Sequence, residues 1–160
     1  MVNERKRNDS VSIEISAPPE RVYDLIADIT RMGEWSPECY RCSWVDGASG
    51  PAVGAKFKAS NKGGRGPSWS NTAVVTVADP GRAFAFNRSG PAIGSYTWRY
   101  DLEPTLEGTR LTESFEAERP LGKAMSWITM QWTGSTDRDA DLHEGMLTTL
   151  WHVKAAAESS

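Results

Sequence analysis

Glu113 stands two residues after Leu111 and two before Phe115, so on an unbroken strand its carboxylate points the same way as those apolar side chains. Arg88 follows Phe84 and Phe86 in the same phase, and Asn71 falls between Trp69 and Ala73. Taking a carboxylate or a guanidinium out of water is costly unless a partner, trapped water or a ligand meets it. Polar groups in apolar phase therefore point to a sheet interior that faces a cavity rather than a dry core. The chemistry open to them is acid–base. Facing a pocket, Glu113 and Arg88 are the candidates for a catalytic role. A Glu113–Arg88 pair that only satisfies itself is the structural alternative.

Other reactive patterns fall short of a complete template. His143-Glu144 opens an H-E-x-x-H pattern, but Leu147 stands where the second histidine belongs. There is no G-x-S-x-G elbow, and His143 and His152 are the only histidines. Cys39 and Cys42 form a single C-x-x-C, without the second pair that a tetrahedral zinc site needs. On a strand, residues three apart point to opposite faces about 10 Å apart, too far for a disulfide, so two ordinary reduced cysteines are expected. The run Lys62-Gly63-Gly64-Arg65-Gly66-Pro67 matches no phosphate-binding motif and reads as a hairpin loop at a cavity rim. No metal and no cofactor is expected.

These residues need elements to hold them. Val11, Ile13 and Ile15 alternate with polar residues, the period of a half-buried strand. Pro18-Pro19 then opens a helix carrying Val22, Leu25, Ile26 and Ile29 on one face. From about residue 38 to 118 the chain reads as six strands. Their inner faces hold Tyr40, Cys42 and Trp44, then Phe57 and Ala59, and then Trp69, Asn71, Ala73, Val75 and Val77. Phe84 and Phe86 follow, then Tyr96, Trp98 and Tyr100, then Leu111 and Phe115. Asp46-Gly47, Gly63-Gly64, Pro80-Gly81 and Glu107-Gly108 mark hairpin turns, so the sheet is an antiparallel meander.

Leu121, Met125, Ile128 and Trp132 have helical spacing, and the cluster of Met125, Trp127, Ile128, Met130 and Trp132 is a lid, a partner surface or packing across the sheet edge. Thr136 and Asp139 can form a capping box for a long final helix, whose stripe is Leu142, Met146, Leu150, Val153 and Ala157. That helix is the element available to cover the apolar face of the sheet, and a curved sheet gripping one helix leaves a hollow between them.

The composition agrees with one domain over residues 9–158 after a flexible stretch at 1–8. The 160 residues include 27 Leu, Ile, Val and Phe against 7 Trp, an interior lined by flat amphipathic rings more than by methyl groups. A formal charge of −3 lacks the basic excess of a nucleic-acid binder. The charged start has no apolar run of a secretion signal and no segment is long enough to span a bilayer, so a cytoplasmic protein without stable membrane insertion is expected.

Four stretches resemble one superfamily. They are Ile13-Glu14-Ile15-Ser16-Ala17-Pro18-Pro19-Glu20-Arg21-Val22-Tyr23, then Glu34-Trp35-Ser36-Pro37-Glu38, then Trp98–Pro104 with Thr109–Phe115, and last Gly145–Leu150. Together they resemble the START-like or SRPBCC superfamily, specifically its polyketide cyclase/dehydrase group. The resemblance implies an α+β helix-grip fold, a seven-stranded antiparallel curved sheet wrapped around a long C-terminal helix with an internal cavity.

It also implies binding or carrying of a small hydrophobic ligand, such as a lipid, a polyketide-like aromatic or an isoprenoid. One alternative is a polyketide aromatase/cyclase or dehydratase, in which Glu113 would be the general base removing a proton α to a carbonyl, with Arg88, Tyr96 or Tyr100 stabilising the enolate oxygen. The other is a chaperone-cofactor-like interaction module. The protein is expected as a monomer or homodimer. The cavity, of about 300–1,000 Å3, is expected to carry Glu113 and Arg88 as its reactive pair. Trp35 and Trp69 would stand near its mouth, with Asn71, Phe86, Tyr96, Trp98, Tyr100 and Phe115 along the sheet. His143, Met146 and Leu150 would close it from the helix.

Overall fold

The computed structural model describes residues 7–62, 67–90, 94–119, 122–134 and 137–159, apart from the side chains of Thr129, Trp132 and Thr133. The loop at Gly63–Gly66, Leu121 and the proposed capping residue Thr136 lie outside these residues. β1 (Asn8–Ile15) leads into α1 (Pro19–Ala27), a 3-10 turn at Ile29–Arg31 and the short α2 (Met32–Trp35). The strands β2 (Cys39–Val45), β3 (Lys56–Asn61), β4 (Trp69–Asp79), β5 (Ala83–Gly90), β6 (Gly94–Pro104) and β7 (Thr109–Arg119) follow. The chain ends in α3 (Lys123–Thr133) and α4 (Arg138–Glu158).

All seven strands form one antiparallel sheet in the order β1-β7-β6-β5-β4-β3-β2. β2 to β7 pair as a meander, and β1 crosses over to close the far edge against β7. The curved sheet grips α4, whose Met146, Leu150, Val153 and Ala157 are buried together with Thr149. Arg21 ties α1 to the end of α4 by donating to the Ala157 carbonyl at 2.7 Å and the Ser159 carbonyl at 2.6 Å. The N-terminus of α4 is capped by Asp137, whose side chain accepts from the Ala140 amide at 3.1 Å. Among the described residues no helix is long and apolar enough to cross a membrane.

β7 follows its alternation without a break, so Thr109, Leu111, Glu113, Phe115 and Ala117 all point inward. β2 does not. A bulge between Cys39 and Arg41 adds a residue to the strand, turning Tyr40 outward, where it is 53% exposed. Cys39 turns inward beside Cys42, and their sulfurs lie 3.2 Å apart. The expectation of two cysteines on opposite faces is therefore wrong, because it assumed an unbroken strand. In α3, Trp127 is exposed rather than packed.

Candidate functional site

Between the sheet and the first half of α4 lies a cavity of about 130 Å3. It is smaller than the expected range, and the rings of Phe57, Phe86 and Trp98 are part of its lining. β3 contributes Phe57, Ala59 and Asn61; β5 contributes Phe86 and Arg88; β6 contributes Trp98 and Tyr100; β7 contributes Glu113. Leu142, Gly145, Met146 and Thr149 of α4 form the opposite wall. Met32, Cys39 and the Ser36-Pro37-Glu38 connection complete it beside Arg138 and Asp141. Pro37 and Asp141 are exposed, which puts the mouth at this end, while Phe57 and Glu113 are buried.

Glu113 is 4% exposed, and its Oε1 accepts from the Tyr100 hydroxyl at 3.1 Å. Its Oε2 is buried with no hydrogen-bond partner among the described residues. Burial disfavours the charged form and pushes the pKa up to about 8, with the Tyr100 hydrogen bond pulling the other way. Burial, and then the neighbouring Glu113 charge, likewise raise the Tyr100 phenol. The strand register rules out a Glu113–Arg88 pair. Glu113 lies opposite Tyr100 and Arg88 opposite Tyr96, four residues or about 13 Å along β6.

Arg88 is half-buried, with its guanidinium 5.7 Å from the centre of the Trp98 ring and its Nε buried without a partner. Burial lowers its pKa, the Glu38 carboxylate holds it up, and the Arg138 charge lowers it further. Arg138 donates to Glu38 at 2.6 Å, a pair that fastens the first turn of α4 to the connection after α2 at the cavity mouth. Asn61 Nδ2 and Trp98 Nε1 are also buried without partners. The cavity wall thus presents three donors and a carboxyl oxygen, each without a hydrogen-bond partner among the described residues.

Of the residues expected in the site, Glu113, Arg88, Phe86, Trp98, Tyr100 and Met146 come together on this wall. The others lie elsewhere. Trp35 is buried at the end of α2, with the Arg31 guanidinium 4.9 Å from its ring centre, and its carbonyl lies 2.8 Å from His152 Nδ1. Trp69 and Asn71 lie on β4, off the cavity wall. Tyr96 packs on Phe115, which in turn packs on Trp98 with ring centres 5.2 Å apart, behind the lining. Leu150 is fully buried core, and His143 Nδ1 meets Asp9 of β1 at 2.8 Å.

Several lining residues escaped the sequence reading. Asn61 carried a signal, since it continues the inward phase of Phe57 and Ala59. Thr149 did so weakly, one turn beyond Gly145. Glu38, Arg138 and Cys39 gave none, because a connection, a helix N-terminus and a bulge bring them in.

The family described as polyketide cyclase / dehydrase and lipid transport matches residues 9–144. The chain belongs to that family. Protein CV1439 from Chromobacterium violaceum has the same fold, with a TM-score of 0.72 at 18% identity, over 97% of this chain and 100% of that one. The polyketide-cyclase-like protein Cgl2372 from Corynebacterium glutamicum is 34% identical over 94% of this chain and 91% of its own, with a TM-score of 0.60. The di-domain aromatase/cyclase StfQ of the steffimycin biosynthetic pathway matches with a TM-score of 0.73 at 17% identity. The match covers 95% of this chain and half of StfQ. No curated protein matches the chain.

Proposed function

We propose that this family member binds a small hydrophobic ligand in the cavity between the sheet and α4, inserting a ring-sized part whose oxygen substituent meets Glu113. The observation that carries the reading is the set of unpartnered polar atoms on an otherwise apolar wall: Glu113 Oε2, Arg88 Nε, Asn61 Nδ2 and Trp98 Nε1. Buried polar atoms are rarely left unpaired, and a bound hydroxyl or carbonyl supplies the missing bonds. A cavity near 130 Å3 is in the class that admits a benzene-sized ring, so a longer polyketide-like chain, lipid or isoprenoid extends past Pro37 and Asp141. A chaperone-cofactor-like module needs no such cavity, so these atoms favour ligand binding over it.

A second reading, a cyclase or dehydratase, draws support from the Tyr100–Glu113 pair. A carboxyl with its pKa near 8 is poised to exchange protons with a substrate near neutral pH. Arg88 is a cation on the same wall available to an enolate oxygen, whereas Arg138 is held by Glu38. StfQ, named as an aromatase/cyclase, shares the fold.

The two readings separate in heavy water. A 1,3-diketone bearing an aryl ring should bind the protein, reported by a change in tryptophan fluorescence, under both. Protein-accelerated exchange of its α-protons for deuterium, abolished in Glu113→Gln, supports the enzyme. Binding without accelerated exchange supports the carrier, and no binding of ring-bearing ligands contradicts both.

A further inference from the structure

The two cysteines are brought together by the β2 bulge. Cys39 pairs across the ladder with Asn61 and Cys42 with Ala59, so their Cα atoms sit opposite β3 residues two apart. At the strand rise this is about 6.6 Å, near the upper end of the spacing that a disulfide bridges. Both side chains face inward and are 5% exposed, and the Sγ atoms are 3.2 Å apart. Cys42 Sγ also lies 3.8 Å from Met32 Sδ, while Cys39 stands on the cavity wall with Arg88.

The two sulfurs are unequal. A hydrogen bond from the Cys42 thiol lowers the Cys39 pKa, aided by the Arg88 charge, whereas the same bond and burial push Cys42 upward.

We propose that Cys39 and Cys42 are a reversible dithiol–disulfide pair, oxidised by hydrogen peroxide that enters through the cavity, with Cys39 the attacking and Cys42 the resolving sulfur. The Cys39 thiolate attacks one peroxide oxygen, the O–O bond breaks, and the departing hydroxide takes a proton to leave as water. Cys39 is then a sulfenic acid. The Cys42 sulfur attacks the Cys39 sulfur, the S–O bond breaks, and the leaving hydroxide takes the Cys42 proton as a second water. Two thiols lose two electrons and one peroxide gains them. An added dithiol reverses the reaction by exchange.

Bond formation draws the sulfurs from 3.2 Å to about 2.05 Å, so the Cys39 segment shifts against Ala59, Asn61 and Met32. The oxidation state is thereby carried into the cavity wall, whatever ligand the cavity holds.

Hydrogen peroxide treatment followed by thiol alkylation and intact-mass measurement tests this directly. The wild type should lose two mass units and both alkylation sites, and dithiothreitol should restore them. Cys42→Ser, or Cys42→Ala should the serine variant not fold, should stop at a sulfenic acid trapped on Cys39 by dimedone. In Cys39→Ser, Cys42 should resist peroxide. Amide resonances of Asn61, Ala59 and Met32 should move on oxidation of the wild type. Two thiols still alkylatable after peroxide, sulfenic acid arising on Cys42, or a disulfide that leaves those three resonances in place would each overturn the proposal. None of these readouts requires a ligand to bind, so they stand or fall apart from the ligand-binding reading.

Discussion

Glu113 is the side chain whose ionisation the fold opposes. Its pKa rises from 4.5 to about 8 in the folded protein because burial penalises the carboxylate. The native state therefore holds its proton more tightly than the unfolded chain, and stability falls as pH climbs from about 4.5 to about 8. Below 4.5 both states are protonated, and the penalty vanishes. Glu113→Gln mimics the protonated form and removes the penalty. At pH 7 it should stabilise the protein by ~1–3 kcal/mol and leave it little changed near pH 4.5. Thermal melts at the two pH values check this, and equal melting temperatures for variant and wild type at pH 7 would mean that the carboxylate is solvated. The inward phase of Glu113 was legible in the sequence because nothing interrupts β7 between Thr109 and Ala117. Its partner was not. Period-2 patterning fixes which face a side chain takes, while cross-strand register decides that Tyr100, and not Arg88, stands opposite.

The strands and helices were largely legible for the same reason, since alternation and helical spacing express burial on one face. Bulges break that rule. In β2 a single extra residue reverses Cys39 and Tyr40, and only the pairing with β3 reveals it. Gly33 of α2 belongs to this arrangement, because a Cβ added there would collide with the Tyr40 carbonyl oxygen. Gly33→Ala should therefore push α2 off β2 and destabilise the protein by ~2 kcal/mol, read as a lowered denaturant midpoint. A midpoint like that of the wild type would show that α2 does not depend on this approach. At the other side of the mouth, Arg138 and Glu38 join two elements a hundred residues apart in sequence. Arg138→Ala should release this fastening and raise the ligand dissociation rate several-fold, measured by stopped-flow fluorescence, with a stability loss of only ~1 kcal/mol. An unchanged rate would mean that the mouth opens independently of the pair.

The molecule as a whole is a curved sheet closed by one helix, and its cavity exists because α4 cannot fill the concave face. Along α4 the contact changes character. Leu150, Val153 and Ala157 pack solidly, whereas Leu142, Gly145, Met146 and Thr149 border open space. Gly145 is the place where that space can be closed without distorting the fold. A Cβ there would meet only Pro37 Cγ at 3.7 Å, an ordinary contact, and leucine improves helix propensity over glycine by up to ~1 kcal/mol. Gly145→Leu should thus fold as well as the wild type while its side chain enters the cavity. The most direct test of a ligand-binding cavity is calorimetric titration of both proteins with 2-naphthol, whose rings and hydroxyl suit the wall around Glu113. The account predicts saturable one-to-one binding to the wild type and at least a tenfold loss of affinity in a fully folded Gly145→Leu. Equal affinity in the two proteins, or no binding to the wild type, would contradict it.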